Sequence, residues 1–412
     1  MKIIIAGGGI GGLTLALLLH KNGIETEVYE AASEIAPLGL GINLLPHATR
    51  VLDDISLTSA LENKAIITQE AVFFNRYGQL IYREPAGKLA GYKYHQFSVH
   101  RADLHDALLQ AFDERIGNDK LYLGHMATGF EQSDGAVTVH FEETHTGEDL
   151  GPVKADIAIG ADGLHSAFRK QLHPNEGEPI YSGVKMWRGA AITPPCLSGA
   201  SMARAGWLTS GKMVIYPIRD NVDGKGNQLM NWAAELETTD SDASVDWDKA
   251  GKLEELHATF GEWKFDWLDV GKMIRDTQTV LETPMIDQEA LPSWTKGRVT
   301  LLGDAAHPMY PRGSNGAAQA ILDADYLAGC LGREEDALQA LKSYEETRLP
   351  ATAKVVLTNR DNPPDAIIRE VFERTGDKPF DNIEDVISQD ELVGIADNYR
   401  KIVGINSSLM ST

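Results

Sequence analysis

Apolar positions in this chain fall into short unbroken runs and into stretches with helical spacing. Ile3-Ile4-Ile5-Ala6 is a run of buried-strand type. It gives way to Gly7-Gly8-Gly9-Ile10-Gly11-Gly12 and then to a helical stretch over 13–19. Val28-Tyr29-Glu30 reads as a second strand with an acid at its end. After it, Leu38-Gly39-Leu40-Gly41-Ile42-Asn43 reads as a glycine-spaced loop, and 46–61 as a helix. Residues 66–83 alternate as strands do, and 95–100 leads into a helix with Leu104, Leu108, Leu109 and Phe112 on one face. A strand is predicted over 137–141, behind the turn Ser133-Asp134-Gly135, and a buried strand over 156–159 ends in Gly160-Ala161-Asp162-Gly163. Arg298-Val299-Thr300-Leu301-Leu302 has the same buried character and runs into Gly303-Asp304-Ala305-Ala306-His307-Pro308. Helices are predicted over about 317–331 and 335–360, Pro363-Pro364 breaks the chain, and 365–412 is acidic and partly helical.

The middle of the chain differs. All seven tryptophans lie between Trp187 and Trp294, among strand-like runs such as Met213-Val214-Ile215-Tyr216. Asp220 to Asn227 is predicted as a surface hairpin loop. This region is expected to be a largely antiparallel second domain whose aromatics either pack its core or line an aromatic-ligand pocket.

Bulk properties narrow the partners. The 412 residues suffice for two or three domains. A net charge of −22 disfavours nucleic acid and anionic membranes, and there is no apolar stretch of transmembrane length. Cys196 and Cys330 form neither a disulfide framework nor a metal cluster, and the histidines lack metal-ligand spacing. Lys2 precedes an apolar segment, but glycines interrupt it and no small-residue cleavage site follows, so a cytoplasmic protein is expected.

The glycine string carries chemistry. Strand, glycine turn, helix, strand and an acid eighteen residues after Gly12 make a βαβ dinucleotide fingerprint. Gly7 allows the tight turn, Gly9 lets backbone approach a pyrophosphate, and Gly12 lets helix and strand lie close. The helix N-terminus offers free N–H groups to phosphates. Glu30 can accept bonds from ribose hydroxyls. Two more glycine-acid pairs, Asp162-Gly163 and Gly303-Asp304, also stand at strand ends, where open α/β sheets bind ligands. Three such ends imply one extended ligand. NAD would not need the last of them, whereas FAD needs an acceptor for its ribityl chain.

These motifs resemble the single-component FAD-dependent aromatic hydroxylases, the family of p-hydroxybenzoate and salicylate hydroxylases. The resemblance spans about residues 1–360. Pro37 to Asn43, Met186-Trp187-Arg188-Gly189 and Asn315 to Asp323 are similar to its phenazine-modifying branch. It implies an α/β fold: a Rossmann-like FAD-binding domain with a mostly parallel sheet from 1–72, 99–176 and 284–360, and an antiparallel-sheet substrate domain from 73–98 and 177–283. C-terminal helices would occupy 361–412.

The resemblance also implies roles. Gly7, Gly9 and Gly12 would hold the pyrophosphate of non-covalent FAD, and Glu30 its adenosine ribose. Arg101 would reach the phosphate and ribityl region, unless it is a helix-start surface arginine. Asp162 would fix the pyrophosphate side, unless it serves a plain strand-to-helix turn. Asp304 would accept from ribityl hydroxyls, cap the following segment, or both. Gly41 and Ile42 would lie beside one face of the ring. Gly316 and Ala317 would aim backbone N–H groups at its pyrimidine oxygens, and the Pro311 carbonyl would sit near the reacting edge. Ser314 and Ala318 depart from the common family form, but backbone contacts need only small residues. Trp187, Arg188, Tyr216 and Tyr310 are candidate substrate-pocket residues, with Arg188 or Arg204 able to pair a carboxylate. His307 is either a packing residue or a substrate contact.

The implied reaction needs no metal and no protein nucleophile. NADH or NADPH, binding transiently without a second fingerprint, would reduce FAD, and dioxygen would add at carbon 4a as a hydroperoxide. A small aromatic or nitrogen-heteroaromatic substrate would then be hydroxylated, with or without loss of a carboxylate. A flavin halogenase would carry a W-x-W-x-I-P run, and none is present. An FAD-dependent reductase or dehydrogenase without oxygen insertion, and a non-catalytic flavin-binding protein, remain the rival readings.

Overall fold

The computed structural model describes residues 1–35, 40–133, 135–238, 250–405 and 407–410. Leu38, Gly39, Asp134 and Trp247 lie outside the described residues.

A five-stranded parallel sheet forms the base. Its order is Val299–Leu301, Ile157–Gly160, Lys2–Ala6, Glu25–Glu30, Leu121–Leu123. In register, Ile4 stands between Ala158 and Glu27. Ile3, Ile4 and Ile5 are fully buried, since a parallel sheet is covered on both faces. The helix Ile10–Lys21 is apolar nearly all round, because it lies between the sheet and the helices Arg101–Arg115 and Gly316–Arg333. The strand-helix-strand unit and the three strand-end turns expected from the sequence are all present.

The second sheet has seven strands in the order Val280–Asp287, Ile180–Thr193, Gln228–Glu237, Gly211–Arg219, Ser201–Trp207, Glu70–Phe74, Leu80–Pro85. Every neighbouring pair is antiparallel except Ser201–Trp207 with Glu70–Phe74. The loop at 220–227 joins two of its strands, as the polar run there suggested. The divisions expected at 72/73 and 283/284 fall inside two of its strands, Glu70–Phe74 and Val280–Asp287.

Three local expectations are corrected. Gly41–Leu44 is a strand, paired with Gln96–His100, where a loop was expected. The helix expected over 46–61 is two, Pro46–Asp54 and Thr58–Glu62, broken at Ser56 with φ +57°. Leu109 is only half-buried, while Leu104, Leu108 and Phe112 form the core face.

The C-terminal helices Ala366–Thr375 and Gln389–Ile402 dock on the second sheet. Ile367, Ile368, Val371 and Leu392 pack with Phe73, Ile81 and Tyr82. They act as a cover for one face of that sheet, and the space beneath them matters below.

Candidate active site

The glycine turn is built by close backbone approach. Gly7 has φ +112°, and a side chain there would overlap the Ala161 carbonyl of the next strand end. A side chain at Gly12 would strike the Gly7 carbonyl. At Gly9 the reason is different: no protein atom lies within 4 Å of where its Cβ would stand. Gly9 heads the helix Ile10–Lys21, which has no side-chain cap. Its free N–H groups therefore face open space. Glu30 braces this loop, its Oε2 accepting from the Gly8 N–H at 2.7 Å and its Oε1 from Ala32 at 2.8 Å.

That space is a cavity of about 280 Å³, bordered by Gly9, Ile42, Arg101, Arg188, Asp304, Gly316 and Ala317. Seven of the residues singled out from the sequence thus meet on one wall. Asp304 lies deep in the molecule, yet its carboxylate is open because it borders the cavity. Burial pushes its pKa up, against the pull of His307 and Arg101. Among the described residues, neither the Asp304 carboxylate nor the Arg101 guanidinium has a hydrogen-bond or ion-pair partner.

Gly41 stands behind this wall, gripped from the second sheet. Its carbonyl accepts from the Tyr216 hydroxyl at 2.8 Å and from Arg188 Nη2 at 3.1 Å, and its N–H donates to Asn231 Oδ1 at 2.7 Å. A side chain on Gly41 would clash with Tyr216, Ile218 and Asn231. Burial lowers the Arg188 pKa and raises that of Tyr216. Tyr216 therefore ties the seven-stranded sheet to the short strand Gly41–Leu44, and borders neither this cavity nor the larger one described below.

Other candidates stand elsewhere. The Asp162 side chain turns away from the cavity and accepts from Ala167 N–H at 2.8 Å, at the head of the helix Ala167–Leu172. Its other oxygen is buried without a partner, and its neighbours Ala161 and Gly163 border the cavity instead. Trp187 requires a correction as a pocket wall. Successive strand residues face opposite ways, so with Arg188 on the cavity side Trp187 enters the core behind the sheet with Trp232 and Met213. Tyr310 is likewise buried, among Val184, Met186 and Met285. Pro311 is exposed, at the start of the turn Arg312–Ser314.

A larger cavity, about 630 Å³, lies under the C-terminal helices. Phe73, Tyr82, Met202, Arg204, Gly313 and Tyr399 are among its borders. Arg204 is almost fully buried and sits over the Phe73 ring. It belongs to an ion cluster: Asp365 lies 3.0 Å from Arg204 and 2.5 Å from Lys212, and Glu235 lies 2.9 Å from Lys212 and 3.8 Å from Arg312. Three cations and two anions leave one positive charge in surplus.

The sequence reading missed Asp323. It is fully buried, accepting from Gly303 N–H at 3.1 Å, from His307 Nε2 at 2.5 Å and from Arg348 Nε at 2.7 Å. It thereby holds the turn that presents Asp304, and makes His307 a structural partner. A lone acid on the buried side of a small-residue helix was the available signal.

The sequence family described as FAD binding domain matches residues 1–359. The chain belongs to this family. It is 39% identical over 404 residues to phenazine 1,6-dicarboxylic acid hydroxylase PhzS of Lysobacter antibioticus, covering 97% of each. It is 31% identical over 372 residues to 6-hydroxynicotinate 3-monooxygenase of Pseudomonas fluorescens, covering 88% of this chain and 91% of that one. Its fold matches that of Klebsiella pneumoniae HpxO complexed with FAD and uric acid, with a TM-score of 0.76 at 23% identity, over 97% and 96% of the two chains. The expected membership of the FAD-dependent aromatic hydroxylases and the expected α/β fold are both borne out.

FAD is the cofactor of this family member, and the smaller cavity suits it. An uncapped helix end and an unpartnered arginine fit phosphate, and an unpartnered carboxylate fits sugar hydroxyls. Among the described residues no helix is long and apolar enough to cross a membrane, and no group of three or more His, Cys, Asp or Glu is arranged to hold a metal.

Proposed function

We propose that this chain is an FAD-dependent monooxygenase that uses NADH or NADPH and dioxygen to hydroxylate a carboxylated aromatic or nitrogen-heteroaromatic ring in the cytoplasm. One observation carries the reading. The short segment 313–317 borders both cavities, the larger at Gly313 and the smaller at Gly316 and Ala317. A substrate and a cofactor in the two spaces would meet at that segment.

Bound FAD supplies the electron transfer and the oxygen activation. The chain supplies position and dryness. Gly9 and Arg101 would hold the pyrophosphate, and Asp304 the ribityl hydroxyls. Gly316 and Ala317 would present backbone to the ring. Arg204, with the surplus positive charge of its cluster, would orient a substrate carboxylate. Phe73 and Tyr82 would flank the ring, and the C-terminal helices would exclude water. The volume falls within the ~300–1,000 Å³ usual for small-molecule pockets. Phenazine dicarboxylic acid and 6-hydroxynicotinate, named for two relatives, fit this chemistry.

The deciding experiment follows oxygen uptake by the FAD-loaded protein with NADH or NADPH and a panel of aromatic acids. The expected result is substrate-stimulated uptake and a product heavier by one oxygen, or correspondingly lighter where a carboxylate leaves. Flavin reduction with no oxygen incorporated from any acid would favour the reductase, and no reduction at all a binding protein.

A further inference from the structure

The turn between the cavities is strained. Gly313 has φ +70° and Ser314, which is not glycine, has φ +60°. Something must hold two successive left-handed residues, and the C-terminal helix does so. Asn315 Nδ2 donates to the Tyr399 hydroxyl at 2.5 Å and to Asn359 Oδ1 at 3.4 Å. The Tyr399 hydroxyl donates to the same Asn359 oxygen at 3.1 Å. Asn315 and Asn359 are fully buried, so this triangle is sheltered from water. The hydroxyl also fills the place a Gly313 side chain would take. Next to it, Gln319 Nε2 donates to the Val403 carbonyl at 3.2 Å. The same helix is held at the cavity mouth by Arg400, 2.5 Å from both Glu84 and Asp397.

Tyr399 thus borders the larger cavity and grips the segment that walls the smaller one. We propose that Tyr399 is a positioning residue: it fixes the turn at 313–315 and links occupancy of the larger cavity to the affinity and environment of FAD. The linkage arm rests on the substrate reading given above, whereas the positioning arm does not. A group that holds a wall in one of two arrangements couples the two sites reciprocally.

The test compares wild type, Tyr399→Phe and Asn359→Ala. FAD affinity is read by flavin fluorescence, the ring environment by visible circular dichroism, and both are repeated with phenazine-1,6-dicarboxylic acid as the probe. Each variant is expected to bind FAD at least threefold more weakly and to alter the flavin dichroism with no turnover taking place. The wild type is expected to change FAD affinity at least threefold when the probe binds, and Tyr399→Phe to lose that response. If Tyr399→Phe does not fold, Asn359→Ala decides the positioning arm. Variants that lose only thermal stability, with wild-type FAD affinity and dichroism, would overturn the proposal. If the probe fails to bind the wild type, the substrate reading fails while the dichroism and affinity still decide the role of Tyr399.

Discussion

Asp365 lies 3.0 Å from Arg204 and joins the C-terminal segment to the floor of the larger cavity. Burial pushes the Asp365 carboxyl up, and Lys212 and Arg204 more than offset it, holding it below its usual range. The pair keeps Arg204 fixed where a substrate carboxylate would dock. Replacing Arg204 by Met should raise KM for a carboxylated substrate by about 10- to 100-fold, the value of one or two charged hydrogen bonds. The analogue lacking the carboxylate should be nearly unaffected. Steady-state kinetics on the two substrates check this, and equal losses on both would remove Arg204 from carboxylate recognition.

Asp323 gives the fold a definite response to acid. Burial raises its pKa, but His307 and Arg348 outweigh that and hold it at about 2. A carboxyl depressed in the folded state contributes stability above its unfolded value and loses it as pH falls toward the folded one. The contribution is about 2 kcal/mol, complete above about pH 4 and fading between about 4 and 2. Replacing Asp323 by Asn strands Arg348 and should cost ~3–5 kcal/mol at neutral pH. Urea unfolding at pH 7 and pH 3 should give a smaller difference between variant and wild type at the lower pH.

What could be read from sequence was local. Gly7 and Gly303 announce tight turns, and Gly12 a close helix-to-turn approach, because a glycine turn and the strand before it are contiguous in the chain. Asp304 and Arg101 were found through motifs of a few residues. The larger cavity was not legible, because its parts come from separated segments: Asn315 and Tyr399 are 84 residues apart, and nothing in either neighbourhood names the other. Asp162 was legible as a strand-end acid, but not which of its two expected contacts it makes, since such an acid can face a ligand or, as here, cap the next helix. Trp187 was misjudged by one residue of strand parity, which only the sheet register determines.

That parity can be checked. Trp187 is 1% exposed and packed behind the sheet, so Trp187→Ala should destabilise the protein by ~3–5 kcal/mol through the cavity it leaves. Product formed per NAD(P)H consumed should stay near the wild-type ratio at a temperature where the variant is folded. A rise in peroxide at unchanged stability would instead put Trp187 on the substrate wall.

Gly9 and Gly12 make the sharpest pair of tests, because the two glycines are small for opposite reasons. Gly12 is required by the protein itself: a methyl there meets the Gly7 carbonyl, so Gly12→Ala should lower stability with or without flavin. Gly9 has φ −73°, which alanine adopts freely, and no protein atom near its absent side chain. Gly9→Ala should therefore leave the flavin-free protein as stable as wild type, while weakening FAD by at least tenfold because the methyl enters the space over the helix N-terminus. Unfolding of flavin-free protein and FAD titration together separate the two effects. A Gly9→Ala protein that binds FAD as tightly as wild type would mean the phosphates do not pass over this turn, and the smaller cavity would lose its assignment.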